Sequence, residues 1–441
     1  MQQSDAAGLP YLKRAVELDP NYAMAYLRLG VVQINLGQAS SSIESVTKAF
    51  NLRERLTQGD RLLAESIYYD VGTGEVDKAD QASEQWIQTF PADVTPHINL
   101  AASSRYSGRP EKAAAEAREA NRLSPSIQAY QSLIGADISL GQFEQAKADF
   151  NEAASRNLDD MDVHIPRYIV AMLQGDKAAM DEQINWTLRQ PGGEGAMLWL
   201  QADNEAYRGH LHKARMFSQH AAQLARSKNS PEWNAGDKAN EALLEAEVGN
   251  SARARQAAME ALTTTSDRNV RLTLALAFAR SGDRQQAQKL VEALNQEFPL
   301  STWIQQYELA TIRAAIELDN NHPERAIDIL QSAVPYELAS TESFTNYYPA
   351  YVRGLAYLAA SQGPRAATEF QKLLDHPGVV SGFVTGALSH LQLGRAQVMM
   401  SDKAAARKSY QDFLTLWKDA DPDIPIYKQA KAEYAKLRRN H

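Results

Sequence analysis

The sequence predicts an all-α fold, a solenoid of about eleven helical hairpins stacked one on the next. The first observation behind this is a recurring turn. Gly37, Gly74, Gly108, Gly141, Gly175, Gly209, Gly249, Gly282, Asn321, Ser361 and Ser401 follow one another at intervals of 37, 34, 33, 34, 34, 40, 33, 39, 40 and 40 residues. The second is a frame of side chains after each turn. Gly108 leads to Ala113, Ala117, Ala120 and Pro125, and Gly282 to Ala287, Val291, Leu294 and Pro299. The third is missing bulk at two fixed places. Seven residues before the turn stand Gly30, Ala101, Ala242, Ala275, Gly354 and Gly394; five after it stand Ala79, Ala146, Ala254, Ala326, Ala366 and Ala406. Antiparallel helices reach the short end of the roughly 8–10 Å packing range only where their crossing points carry little side-chain volume.

From the N-terminus, Gly8, Leu12, Ala15 and Pro20 occupy second-helix places with no first helix before them. An uncapped repeat exposes an apolar face. The sequence is therefore expected to be a piece of a longer polypeptide, or to have this end covered by a partner. From residue 22 first and second helices alternate, with Tyr26, Leu29 and Gly30 at i, i+3 and i+4 ahead of Gly37. Pro20, Pro91, Pro125 and Pro299 stop second helices, because proline cannot continue one. Phe150, Phe370 and Tyr410 fill the gaps between hairpins. Residues 226–236, 335–347 and 376–386 lengthen the period by adding a loop or extending a helix. Asp419 to Asp423 breaks the last hairpin, and Ile424 to Leu437 forms an amphipathic cap. The expected division is a partial first repeat at 1–22, an N-terminal array at 23–225, a C-terminal array of longer repeats at 226–418 and a capping helix at 419–441. Each hairpin is expected to touch only its neighbours.

Composition narrows the function classes. Hydrophobic residues at 44% and charged residues at 23% belong to an ordinary folded chain rather than a disordered one. A net charge of −8 argues against a phosphate-binding surface, so no nucleic acid contact is expected. The chain has no cysteine, which removes disulfides, cysteine zinc sites and thiol nucleophiles. The longest run without acidic or basic side chains, His376 to Gly394, is broken by Pro377 and several glycines, so no membrane-spanning segment is expected. Met1 to Asp5 opens without a basic patch and apolar run, so no signal peptide is read. The expected location is cytoplasmic, or extracytoplasmic if an upstream membrane anchor has been lost.

The helix carrying Tyr26, Leu29 and Gly30, its turn, and the small, aromatic, Ala and Pro places that follow resemble the tetratricopeptide repeat over essentially the whole chain. The resemblance implies a right-handed superhelix whose inner groove, lined by first helices, binds a peptide or protein. A narrower likeness is carried by Glu54-Arg55-Leu56-Thr57 through Tyr68-Tyr69, and by the run from Tyr410 and Phe413 through Trp417 and Asp421-Pro422 to Pro425. These look like the C-terminal repeat region of bacterial serine/threonine protein kinases of acidobacterial type; related repeats also follow winged-helix regulators. No kinase-type glycine-rich loop, His-Arg-Asp or Asp-Phe-Gly triplet is present, so no catalytic residue is carried over.

Other constellations read as structure. His210, His212 and His220 lack a completing ligand at zinc spacing. Asn185-Trp186-Thr187 lies within a predicted helix, and Pro191 to Gly195 is an inter-repeat loop with neither a preceding strand nor a following Lys-Ser/Thr. Acid pairs such as Asp159-Asp160 and Asp421 with Asp423 suit helix N-termini. No cofactor, metal or catalytic residue is expected. Positions three, six and ten before the turn are expected to face the groove: Ile34, Val31 and Leu27; Arg105, Ala102 and Ile98; Ala206, Asp203 and Trp199, with Tyr106 and Tyr207 beside them. The candidate groove set is thus Leu27, Val31, Ile98, Arg105, Tyr106, Trp199, Asp203 and Tyr207. Aromatic and Arg side chains dominate binding hot spots; the alternative is that Trp199 and Tyr207 pack between hairpins. Leu27, Val31, Ile98 and Ala102 hold the places where some arrays put Lys and Asn, which removes a carboxylate clamp. The expected function is a non-catalytic protein- or peptide-binding scaffold, the interaction or sensory region of a bacterial signalling protein. The alternatives are a fragment of a serine/threonine kinase without its catalytic domain, or of a winged-helix regulator.

Overall fold

A computed structural model describes residues 2–36, 38–228, 231–340 and 346–439. The expected turn residue Gly37, residues 229–230 of the first insertion and residues 341–345 of the second lie outside these. Among the described residues every regular element is helical. The other ten turn residues all take the left-handed backbone, from φ +59° at Ser361 to +91° at Gly249. Glycine adopts it freely; Asn321, Ser361 and Ser401 do so at a cost. At nine of the ten the reversal is closed the same way. The N–H after the turn donates to the carbonyl five residues earlier, as in Gln142 to Asp137, Asp283 to Phe278, Gln362 to Tyr357 and Asp402 to Gln397. At Gly74 the bond reaches six residues back, from Glu75 N–H to the Tyr69 carbonyl. Either bond satisfies a carbonyl which the end of a helix would otherwise orphan.

Within each hairpin the small crossing residues are buried: Ala113, Ala146, Ala254, Ala287, Ala326, Ala366 and Ala406 have no exposed surface. A Cβ on Gly354 would stand 2.7 Å from the Phe370 ring, and one on Gly394 would stand 2.9 Å from the Tyr410 ring. The helices Gln2–Leu18, Val76–Thr89, Pro110–Leu123 and Arg284–Glu297 each stop two residues short of a proline. Of the insertions, 376–386 adds the short helix Pro377–Val380, and 226–236 extends the helices Leu211–Ser227 and Pro231–Glu247. Helix Pro425–Arg439 follows the Asp-rich break.

The chain forms two compact units, residues 1–133 with 298–305 and residues 134–297 with 306–441. The first holds helix Gln2–Leu18 and the hairpins Ala23–Asn35 with Ala39–Asn51, Gln58–Ile67 with Val76–Thr89, and Val94–Tyr106 with Pro110–Leu123. Helix Gln58–Ile67 runs directly into a π-helix, Tyr68–Thr73. Within this unit Thr302 N–H donates to the Gly74 carbonyl at 2.9 Å.

In the second unit the expectation of neighbour-only contact fails. First helices pack in series, Pro231–Glu247 on Arg268–Arg280, then Leu309–Asp319, Tyr348–Ala359 and Val384–Met399. The last of these also touches Pro231–Glu247 and Gly193–Tyr207. The cause is in the composition of those helices. Arg268–Arg280 buries Leu272, Leu274, Leu276 and Phe278 around its whole circumference, and a helix apolar on every side must be covered on every side.

Candidate functional site

In the first unit the groove register stays accessible. Val31, Ile34, Tyr68, Val71, Ala102 and Arg105, which lie six or three places before their turns, are all half-buried. Ile98, ten before its turn, is half-buried too. Leu27, at the same place, is not: it is fully enclosed and clusters with Ala49, Leu62 and Trp86. Tyr106 is 38% exposed, and the Arg105 guanidinium sits 4.4 Å above its ring. Such a cation–π pair presents one flat, amphipathic face.

The same unit carries an aromatic cluster of which the groove register reaches only Tyr68, six places before Gly74. The π-helix widens its turn by one residue, and Tyr68 stacks on Phe50 of helix Ala39–Asn51 with centroids 3.9 Å apart. Tyr69 meets both rings edge-on at 5.5 and 5.4 Å. Arg53 lies over Phe50 at 4.1 Å and Lys78 over Tyr69 at 5.3 Å. The adjacent tyrosines were visible in the sequence as Tyr68-Tyr69, yet a π-turn has no spacing signature that would have placed them.

In the second unit the place ten before the turn is mostly buried, while the places six and three before it are mixed: Leu355, Leu358 and Arg395 are half-buried and Val398 is exposed. Ala239, Leu272, Thr311, Tyr351 and Leu391, each ten before its turn, are buried. Trp199 is half-buried against the cluster of Tyr168, Met172, Met197 and Leu200. Asp203 is buried, accepting from Asn240 Nδ2 at 2.8 Å. Burial pushes its carboxyl up to about 7, the Asn240 hydrogen bond opposing and the charge of Asp237 adding. Asp237 itself is pushed up to about 6 by burial. Tyr207 is half-buried, its phenol pKa raised by burial, and it lines a cleft of about 90 Å³ with Pro377, Gly386 and His390. Burial lowers the His390 pKa, leaving the imidazole neutral at neutral pH. Of the groove candidates, Val31, Ile98, Arg105, Trp199 and Tyr207 are half-buried, Tyr106 is exposed, and Leu27 and Asp203 are buried.

Other buried charges are held by counter-charges. Glu247 holds Arg280 through two hydrogen bonds of 2.6 and 3.0 Å. Burial opposes the guanidinium charge there, but the Glu247 carboxylate outweighs it and the pKa is raised. Arg353, 2% exposed, bonds both Glu337 and Glu369, with Lys372 beside the two carboxylates. His210, His212 and His220 turn to different carboxylates: Glu205, then Asp421 and Asp423, then Glu194.

This is an all-α, tetratricopeptide-like solenoid. No known family profile matches the chain, and no curated protein matches it. Among solved structures it is similar to yeast Tom70, at 13% identity over 95% of this chain and 96% of that one, with a TM-score of 0.36. It is similar to the Cut9–Hcn1 hetero-tetramer of the APC/C, at 12% identity over 98% and 81%, with a TM-score of 0.46. A tetratricopeptide repeat protein from Parabacteroides merdae matches at 14% identity over 77% and 98%, with a TM-score of 0.27. Likenesses this distant carry no functional argument; the architecture rests on this chain's own turns and crossings. No helix among the described residues is long and apolar enough to cross a membrane.

Proposed function

We propose that this chain is a non-catalytic scaffold that binds a protein or peptide partner, and that its first unit does the binding. The observation that supports this reading is partial exposure in the first unit at Val31, Ile98 and Ala102, together with the cation-capped, exposed ring of Tyr106. The aromatic ring supplies large contact area with few rotors to freeze, and stacking on it already orders part of the Arg side chain. The ending Trp417 to Pro425 and the stretch Glu54 to Tyr69, similar to repeat regions trailing bacterial serine/threonine kinases, support placing the scaffold in a bacterial signalling protein. The cytoplasmic location, and the absence of a nucleic-acid contact expected from a net charge of −8, belong to the same reading. The test is affinity capture with the full chain as bait, comparing wild type with an Arg105→Ala, Tyr106→Ala double variant. Truncating a hot-spot pair is expected to lower capture about tenfold or more. Capture unchanged by the double variant refutes the assignment of the surface, and measurable ATP turnover by the chain refutes its non-catalytic character.

A further inference from the structure

The segment Trp417–Ile426, between helices Lys403–Leu416 and Pro425–Arg439, crosses two hairpin turns far from it in sequence. Trp417 is fully buried, and its Nε1–H donates to the Tyr207 carbonyl at 2.9 Å. Its indole is tilted against Phe413 at 4.8 Å and Tyr427 at 6.0 Å. Asp421 N–H donates to the Gly209 carbonyl at 3.0 Å, and its carboxylate accepts from His212 N–H at 2.7 Å. Ile426 N–H donates to the Val248 carbonyl at 3.2 Å. The segment therefore takes up carbonyls at the ends of helices Gly193–Tyr207 and Pro231–Glu247, and an amide at the start of Leu211–Ser227, groups that a helix cannot satisfy itself. The turns are shaped to receive it. A Cβ on Gly209 would lie 2.6 Å from Ala420 Cβ and 2.8 Å from the Trp417 indole, and one on Gly249 would lie 3.2 Å from Pro425.

We propose that Trp417–Ile426 is a latch that holds helix Val384–Met399 against Gly193–Tyr207 and Pro231–Glu247, and that its release exposes the face bearing Tyr207, whose ring a Cβ on Gly386 would meet at 3.2 Å. The latch is irregular chain, with exposed Asp419 and Asp423, tied down by backbone-directed hydrogen bonds and one indole. Segments of this kind open at lower free energy than helices buried on every side. The consequence for binding rests on the reading that inward faces of first helices take the partner. The latch itself is measured without any partner, so its failure is distinguishable from failure of that reading.

The experiment is hydrogen–deuterium exchange on the full chain, comparing Gly209→Ala with Gly141→Ala. Both glycines have positive φ, +80° and +71°, so both variants carry the same backbone strain, but nothing lies within 4 Å of a Cβ at Gly141. Gly209→Ala is expected to speed exchange about tenfold or more in peptides covering 207–212, 248–250 and 424–439, leaving 284–297 at its wild-type rate. Gly141→Ala is expected to leave all four at wild-type rates. Trp417→Phe, which keeps the ring and removes the donor, is expected to speed the same three peptides severalfold and guards against a Gly209 variant that does not fold. Binding of 1-anilinonaphthalene-8-sulfonate is expected to rise in Gly209→Ala and Trp417→Phe and to stay at the wild-type level in Gly141→Ala. Equal patterns in the two Gly→Ala variants, or exchange rising uniformly over the second unit in both Gly209→Ala and Trp417→Phe, overturn the proposal.

Discussion

Replacing Asp203 by Asn is expected to stabilise the second unit at alkaline pH and to leave it nearly unchanged at acid pH. The folded carboxyl is pushed up to about 7 by burial, against an ordinary value of 3.8. A raised carboxyl pKa means that the folded chain holds the proton more tightly than the unfolded one. Below the unfolded value both states are protonated and nothing is lost. As pH rises from about 4 to about 7 the unfolded chain ionises first, and stability falls by up to about 1.4 kcal/mol per pH unit. Above 7 the penalty is constant, and a gap of about three units makes it about 4 kcal/mol. An asparagine side chain at this position carries no such penalty. Its carbonyl oxygen keeps the hydrogen bond from Asn240 Nδ2, and its amide reaches toward Asn240 Oδ1, which has no partner beside Asp203. The expected result in urea melts is an Asp203→Asn variant more stable than wild type by about 2–4 kcal/mol at pH 8 and by under about 1 kcal/mol at pH 4.5. A difference that is the same at both pH values, or a variant less stable at pH 8, refutes the burial argument.

Asp237→Asn is expected to act in the same direction over a narrower window, since that carboxyl is pushed up only to about 6; the slope of melting temperature against pH between 4 and 6 reads it. Arg353→Met leaves buried Glu337 and Glu369 with only the half-buried Lys372 as counter-charge and is expected to cost up to about 3–5 kcal/mol in urea, most of it recovered when both glutamates are also made Leu. Ser401→Gly removes left-handed strain at φ +62° worth about 1–2 kcal/mol, offset by about 0.5–1 kcal/mol of glycine entropy; a net rise in melting temperature is expected. Gly354→Ala drives a methyl toward the Phe370 ring and is expected to cost about 1–3 kcal/mol in the same melts.

Much of the hairpin was legible because its determinants are local. A left-handed residue, a small side chain five places on and a proline at the exit fix one turn and one crossing, and all of them lie within about thirty residues. The burial of Leu27 was harder to see, yet a signal exists. Its neighbour Arg28 is the exposed residue of that stretch, so the outward face runs through position 28 and Leu27 belongs with the core. The Glu337–Arg353–Glu369 group left no mark, because its members stand sixteen residues apart on either side, a spacing that matches no helical period. The latch was visible only as a break after Trp417. Nothing local says which distant carbonyl an indole N–H will find.

Two first helices show how differently the shared turns and crossings are used. Helix Val94–Tyr106 carries Thr95, Asn99, Ser103 and Ser104 among its apolar residues, and Ile98, Ala102 and Arg105 keep part of their surface. Helix Arg268–Arg280 offers Val270, Leu272, Leu274, Leu276 and Phe278 in succession and is buried along nearly all its length. Each buried Leu or Phe contributes about 1.5–3 kcal/mol when it leaves water, so leaving such a helix open to solvent would forfeit several such contributions at once. A first helix of that composition is driven to recruit its own chain as cover, and the inward face it then presents is already occupied. Helix Ala23–Asn35, with Leu27, Leu29, Val31, Val32 and Ile34, is no less apolar yet keeps Val31 and Ile34 half-buried, so the cover a first helix receives depends also on which neighbours the chain brings to it.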